Sequence, residues 1–154
     1  MERTRRKIRV LVVDDQTELA EELALILQMD EELTVVGTAK DGAEAVDQIA
    51  SLVPDVVLLD IVMPRMDGFG TLEALSRMNL GKKPHVIMVT GLTRDDFIAR
   101  AMSMGADYYM IKPFDVLELL ARVDGVLRRH GKLQTNLQVG GLEINTRSMQ
   151  VLRH

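Results

Sequence analysis

The 154-residue chain has no cysteine and no tryptophan, and only two tyrosines, three phenylalanines, four prolines and three histidines. Each shortage removes a class of protein. Without cysteine there are no disulfides and no thiolate metal ligands. His85, His130 and His154 lie far apart in the sequence and form no ligand spacing, so a zinc site is not expected. No apolar run is long enough to span a bilayer. The start, MERTRRKIRVLVVDD, is basic but passes quickly into acids, unlike a signal peptide or anchor. A soluble cytoplasmic protein without a membrane partner is expected. The formal net charge of −4 argues against a domain that coats nucleic acid by itself. The basic run from Arg3 to Lys7 reads as a solvated tail.

What is present is apolar and rhythmic. With 47% hydrophobic residues the chain can bury a sizeable core without a covalent or metal staple. Short runs rich in Val, Ile and Leu recur: IRVLVV, LTVVG, DVVLL, HVIMVT and YYMIK. Several are apolar on both faces, as parallel strands covered on two sides are. Segments of helical period separate them. In TELAEELALILQ, Leu19, Leu23, Ile26 and Leu27 share one face while Glu18, Glu21 and Glu22 lie elsewhere. Helix caps are expected at Asp41, Asp67, Thr93 and Asp115, with Gly105 ending one helix. Five β-α repeats predict an α/β fold, a doubly wound five-stranded parallel sheet of flavodoxin-like order 2-1-3-4-5 with helices on both faces.

In such a sheet Asp14 and Asp15 end the first strand, Asp60 the third, Thr90 the fourth and Lys112 the fifth, all on one rim. The switch point lies between strands one and three, so the three carboxylates converge in one crevice. Crowded carboxylates repel unless a cation neutralises them, and magnesium suits an all-oxygen site. A hydroxyl at Thr90 and an ammonium at Lys112 supply what a phosphoryl group needs, and an aspartate can carry that group covalently. Asp60, the central acid, is the expected acceptor. Each residue alone has a bland reading as helix cap, turn former or surface lysine. Their joint placement on four strand ends favours chemistry.

These residues, in VVDDQ, LLDIVMPRMDG, VIMVTG and GADYYMIKPF, give residues 8 to about 129 a close resemblance to the receiver domain of two-component response regulators. The resemblance implies that Asp60 takes a phosphoryl group from a histidine kinase or histidine phosphotransfer protein. It implies that Asp15 and Asp60 bind Mg2+ directly, with Asp14 acting through water and the Val62 backbone carbonyl as a further ligand. Thr90 and Lys112 would contact the phosphoryl group, Thr90 and Tyr109 would switch, Lys112-Pro113 would be cis, and Gly91 would leave the site accessible. Such a domain catalyses only its own phosphorylation and dephosphorylation and is not otherwise an enzyme. A rival on a similar sheet, the haloacid-dehalogenase-like phosphohydrolases, needs an acid two residues after the nucleophile. Here that residue is Val62. Receiver-like modules that are never phosphorylated usually lack one of the acids or the lysine, and all are present here.

The body is most similar to receivers of sporulation-type phosphorelay regulators, and the tail VGGLEINTRSMQV to the start of an OmpR/PhoB-type winged-helix effector. The resulting division is a basic tail (1–7), receiver (8–129), linker (130–136) and truncated effector start (137–154), the last expected to hold two strands around a turn at Asn145-Thr146. Transcriptional output is implied, with DNA bound only through an effector region beyond this chain. A homodimer through the face of helix four, strand five and helix five is implied by Glu118 and Arg122. Tyr108 and Ile98 depart from the charged pattern of that face.

Overall fold

The computed structural model describes residues 6–130 and three later strands, 136–139, 142–145 and 150–153. The apolar runs become strands β1 (Ile8–Val13), β2 (Leu33–Ala39), β3 (Val56–Leu59), β4 (His85–Thr90) and β5 (Tyr108–Ile111). They form one parallel sheet in the order β2-β1-β3-β4-β5, the flavodoxin-like arrangement expected. The crossovers are α1 (Thr17–Gln28), α2 (Gly42–Leu52), α3 (Gly68–Arg77) and α4 (Asp95–Ser103), and α5 (Val116–His130) follows β5.

Strand alternation divides the core. Leu11, Val13, Val57, Leu59, Val86 and Met88 join Ala45 and Ile49 of α2, Phe69, Leu72 and Leu75 of α3, and Ala101 of α4 in one buried cluster. The intervening residues Val10, Val12, Leu58 and Ile87 are equally buried and point to the other face. There α1 buries Ala20, Leu23 and Leu27, while Leu19 and Ile26 are only partly covered.

Two helix entrances follow the expected chemistry. Asp41 accepts a hydrogen bond from the Glu44 amide and Asp67 from the Gly70 amide, each at 2.8 Å. Asp115 similarly accepts from the Leu117 amide at 2.7 Å. At α4 the expectation of a Thr93 cap is corrected: the helix starts one residue later, and Arg94 at the cap makes no side-chain capping bond. Two acids in the first turn, Asp95 and Asp96, act on the helix dipole instead. Gly105, with φ of +106°, follows the C-cap of α4, a conformation glycine adopts freely.

The chain divides into two units, residues 1–111 and 112–154. The second contains α5, in which Leu119, Val123 and Val126 are fully buried. It also contains β6 (Asn136–Val139), β7 (Leu142–Asn145) and β8 (Gln150–Arg153), an antiparallel sheet in that order. Three strands stand where two were expected: the hydrophobic alternation before Gly140 is a strand of its own. Residues 1–5, 131–135, 140–141, 146–149 and 154, which include most of the expected linker and Thr146 of the expected turn, lie outside the described residues.

At the N-terminal rim of the sheet, one buried carboxylate ties three strands. Asp55 accepts from the Arg9 amide at 2.8 Å and pairs with Lys82 at 2.5 Å and Arg6 at 3.0 Å. Burial by itself would raise its pKa. The Lys82 hydrogen bond, the Arg9 amide and the two cations outweigh burial and hold it below the ordinary 3.8. A depressed folded-state value stabilises the fold above about pH 3.8, and that contribution is lost as pH falls through the lowered value. Asp55→Ala is expected to cost about 1–3 kcal/mol at neutral pH, because the part-buried Arg9 amide loses its acceptor. Denaturant unfolding of both proteins from pH 7 down to pH 2 checks this, with the gap closing at the acid end.

Candidate functional site

Parallel register decides which side chains meet at the opposite rim. Val13 pairs with Leu59, so Asp14 and Asp60 are the next residues on neighbouring strands. The backbone carries the pairing one step further: the Asp14 amide donates to the Ala39 carbonyl at 2.9 Å and the Asp60 amide to the Val13 carbonyl at 3.0 Å. Asp14 and Asp60 are buried and Asp15 is exposed. One carboxylate oxygen from each of the three lies within 4.8 Å of the other two. The convergence expected of these acids is therefore present.

Each buried acid is oriented by a backbone amide. Oδ1 of Asp14 accepts from Gln16 at 2.9 Å, and Oδ1 of Asp60 accepts from Ile61 at 2.7 Å. Such local bonds fix a carboxylate's rotamer. The donor set is all oxygen, two members are buried and the exposed third opens the cluster to solvent. That combination fits a hard divalent cation such as Mg2+ and does not fit zinc or copper, which favour nitrogen and sulfur.

Thr90, fully buried, ends β4, and its Oγ1 accepts from the Leu92 amide at a long 3.5 Å. Tyr109 on β5 pairs with Met88, and its hydroxyl donates to the Leu92 carbonyl at 2.7 Å. Burial raises the Tyr109 pKa above 10, and the negative charge of Asp60 raises it further, so the phenol and the carboxylate share one neighbourhood. Lys112 follows Ile111, which pairs with Thr90, and the Lys112-Pro113 bond is cis. The Val62 side chain is 61% exposed, an apolar group in solvent beside the acids. At Gly91 an added Cβ would touch nothing within 4 Å, so packing does not dictate its small size.

Several contributors were not identified from the sequence. Gly68 lies so close to the end of β3 that a Cβ there would approach the Asp60 carbonyl oxygen to 2.5 Å and the Ile61 Cα to 2.8 Å. Its amide donates to the Ile61 carbonyl at 2.8 Å, closing the loop on itself. Beside this loop, Phe69 of α3 and Phe97 of α4 stack at 6.1 Å, and the Arg100 guanidinium sits 4.1 Å over Phe69. Asp67 was legible as a helix cap, but spacing could not show how closely the following glycine meets Asp60.

Residues 10–124 match the family model described as the response regulator receiver domain. A protein-glutamate methylesterase/protein-glutamine glutaminase of Symbiobacterium thermophilum is 42% identical over 121 residues, which cover 77% of this chain and 32% of that protein. The chain thus spans about a third of that relative's length. The response regulator domain of Thermotoga maritima CheB is 34% identical with a TM-score of 0.74, covering 80% of this chain and 98% of that one. A chain of the CheX-CheY-BeF3-Mg+2 complex from Borrelia burgdorferi is 30% identical with a TM-score of 0.72, covering 82% and 92%.

Gly68→Ala is expected to destabilise the protein by about 1–3 kcal/mol, the usual range for forced overpacking. The clash is with backbone, which cannot rotate away as a side chain could. Urea unfolding of the variant checks the sign.

Proposed function

The chain belongs to the response regulator receiver family, and we propose that it is a phosphorylation-driven switch with Asp60 as acceptor. The observation that carries this reading is the meeting of Asp14, Asp15 and Asp60 within 4.8 Å at the end of β1 and β3, with Asp60 held by the Ile61 amide. In the proposed reaction an Asp60 carboxylate oxygen attacks phosphorus of a phosphohistidine. The new O–P bond forms as the N–P bond to the donor imidazole breaks, and a proton returns to that imidazole. In reversal, water attacks phosphorus, the Asp60 O–P bond breaks and inorganic phosphate leaves.

Asp15 and Asp60 would hold Mg2+ directly, Asp14 through water and Val62 through its carbonyl. The bound ion supplies positive charge that offsets the acids and the incoming phosphoryl oxygens. Thr90 and Lys112 would each contact a phosphoryl oxygen, by hydroxyl and ammonium. Tyr109 holds the carbonyl of Leu92, two residues after Thr90. A Thr90 hydroxyl drawn to the phosphoryl group would therefore act on the same short segment, and that segment leads into α4.

The donor is a histidine kinase or phosphotransfer protein, and residues 8–129 should suffice for the chemistry. For the output we favour transcription through an effector beyond this chain, because the tail resembles the start of a winged-helix domain. The methylesterase relative supports a second reading, an enzyme as output. A homodimer through α4, β5 and α5 would bring paired effectors together. Among the described residues no helix is long and apolar enough to cross a membrane.

Incubation with acetyl phosphate and Mg2+, followed by intact-mass measurement, should add one phosphoryl group to the chain and none to Asp60→Asn. Labelling of the variant at the unmodified protein's level would contradict the assignment. The phosphorylated protein should decay over minutes to hours once the donor is removed. Hydrolysis requires an oriented in-line water, and the flanking Val62 and Leu92 have no group to orient one. A lifetime of seconds, read by the same mass measurement, would refute this.

A further inference from the structure

The β3–α3 loop, residues 60–67, contains the backbone that the proposed metal site uses, and one of its residues is in an unfavourable conformation. Arg65 has φ of +65°, the left-handed region in which a Cβ is crowded and glycine or asparagine is the usual occupant. The Met66 amide donates to the Pro64 carbonyl at 2.7 Å, bridging across Arg65. A hydrogen bond spanning one residue of positive φ is the rarer and more strained form of γ-turn. The residue at its apex carries a long cationic side chain where glycine would cost less. That side chain, although 69% exposed, has an acidic partner.

Arg65 Nε lies 3.1 Å from Oδ2 of Asp41, whose side chain is only 3% exposed. Oδ1 of the same carboxylate caps α2 through the Glu44 amide. The next residue of each segment is joined as well, since the Gly42 amide donates to the Met66 carbonyl at 2.9 Å. Gly42 is packed so tightly that a Cβ would lie 2.2 Å from the Thr71 hydroxyl and 2.7 Å from the Met66 carbonyl oxygen. The turn at Arg65 is thus fastened to the start of α2 by an ion pair and a backbone bond. At its other end the loop is closed by the Gly68 amide on the Ile61 carbonyl. Val62 and Met63 lie between these fixed points.

We propose that Arg65 is a positioning residue for the metal site: its bridge to Asp41 holds the strained turn in the shape that presents the Val62 carbonyl to Mg2+. The inference rests on the receiver reading of the site. It predicts that fold stability and metal affinity do not fall together when Arg65 becomes glycine. The metal-free variant relaxes its left-handed residue, so its melting temperature is unchanged or higher. Its loop samples more shapes, so Mg2+ binding weakens by about three- to tenfold. A role confined to stability would lower both together.

The test is a Mg2+ titration of the full chain followed by amide NMR shifts, alongside thermal melts without metal. Arg65→Lys, which keeps a cation within reach of Asp41, should retain affinity within about twofold. Asp41→Asn keeps an oxygen for the α2 cap but loses the charge, and should weaken Mg2+ binding as Arg65→Gly does. The double variant should be no weaker than either single one, because both remove one interaction. An Arg65→Gly protein that binds Mg2+ as tightly as the unmodified chain overturns the brace while leaving the site intact. An unmodified chain that binds no Mg2+ overturns the brace and the site together.

Discussion

Three like charges forced together at one end of the sheet set the conditions for everything else in this molecule. Carboxylate oxygens of Asp14, Asp15 and Asp60 lie within 4.8 Å of one another, which concentrates negative charge at this rim. The parallel register imposes the convergence, since the residues after Val13 and Leu59 must leave the sheet side by side. Local amides at Gln16 and Ile61 then hold the two buried carboxylates in place. A divalent cation in the proposed site would offset that concentration of negative charge.

The two ends of β3 handle acids differently. At Asp55 the chain supplies its own cations, Lys82 and Arg6, and an amide from β1, so the carboxylate is a fixed structural tie. Five residues later Asp60 shares its surroundings with two further acids. One end anchors the strand so that the other can hold a responsive group. Around Asp60, the tightness of Gly68 and the stacked Phe69 and Phe97 connect the β3–α3 loop to α3 and α4. The Tyr109 hydroxyl does the same for the segment after β4.

Much of this was legible in the sequence because it depends on periodicity and on strand ends. Doubly buried strands and amphipathic helices specify a parallel doubly wound sheet, and that topology places Asp14, Asp15, Asp60 and Thr90 on one rim. What escaped depends on distances of a few tenths of an ångström or on partners far apart in the chain. The Arg65–Asp41 pair spans two loops, and nothing in MPRMDG reports a positive φ at its arginine. Thr93 was an attractive cap, but two acids one step further on suit the helix start by another route. The tail read as two strands about a turn at Asn145-Thr146 because LQVGGLEIN keeps a rough alternation through its glycines, whereas β6 and β7 are separate strands.

The most direct measurement is the melting temperature of the protein as a function of Mg2+ concentration at constant ionic strength. If the three carboxylates bind the ion in the folded state alone, the melting temperature should rise with Mg2+. At a hundred times the dissociation constant the gain corresponds to about 2.7 kcal/mol. A melting temperature that does not respond to Mg2+ would show that the cluster binds no cation and would contradict the proposed site.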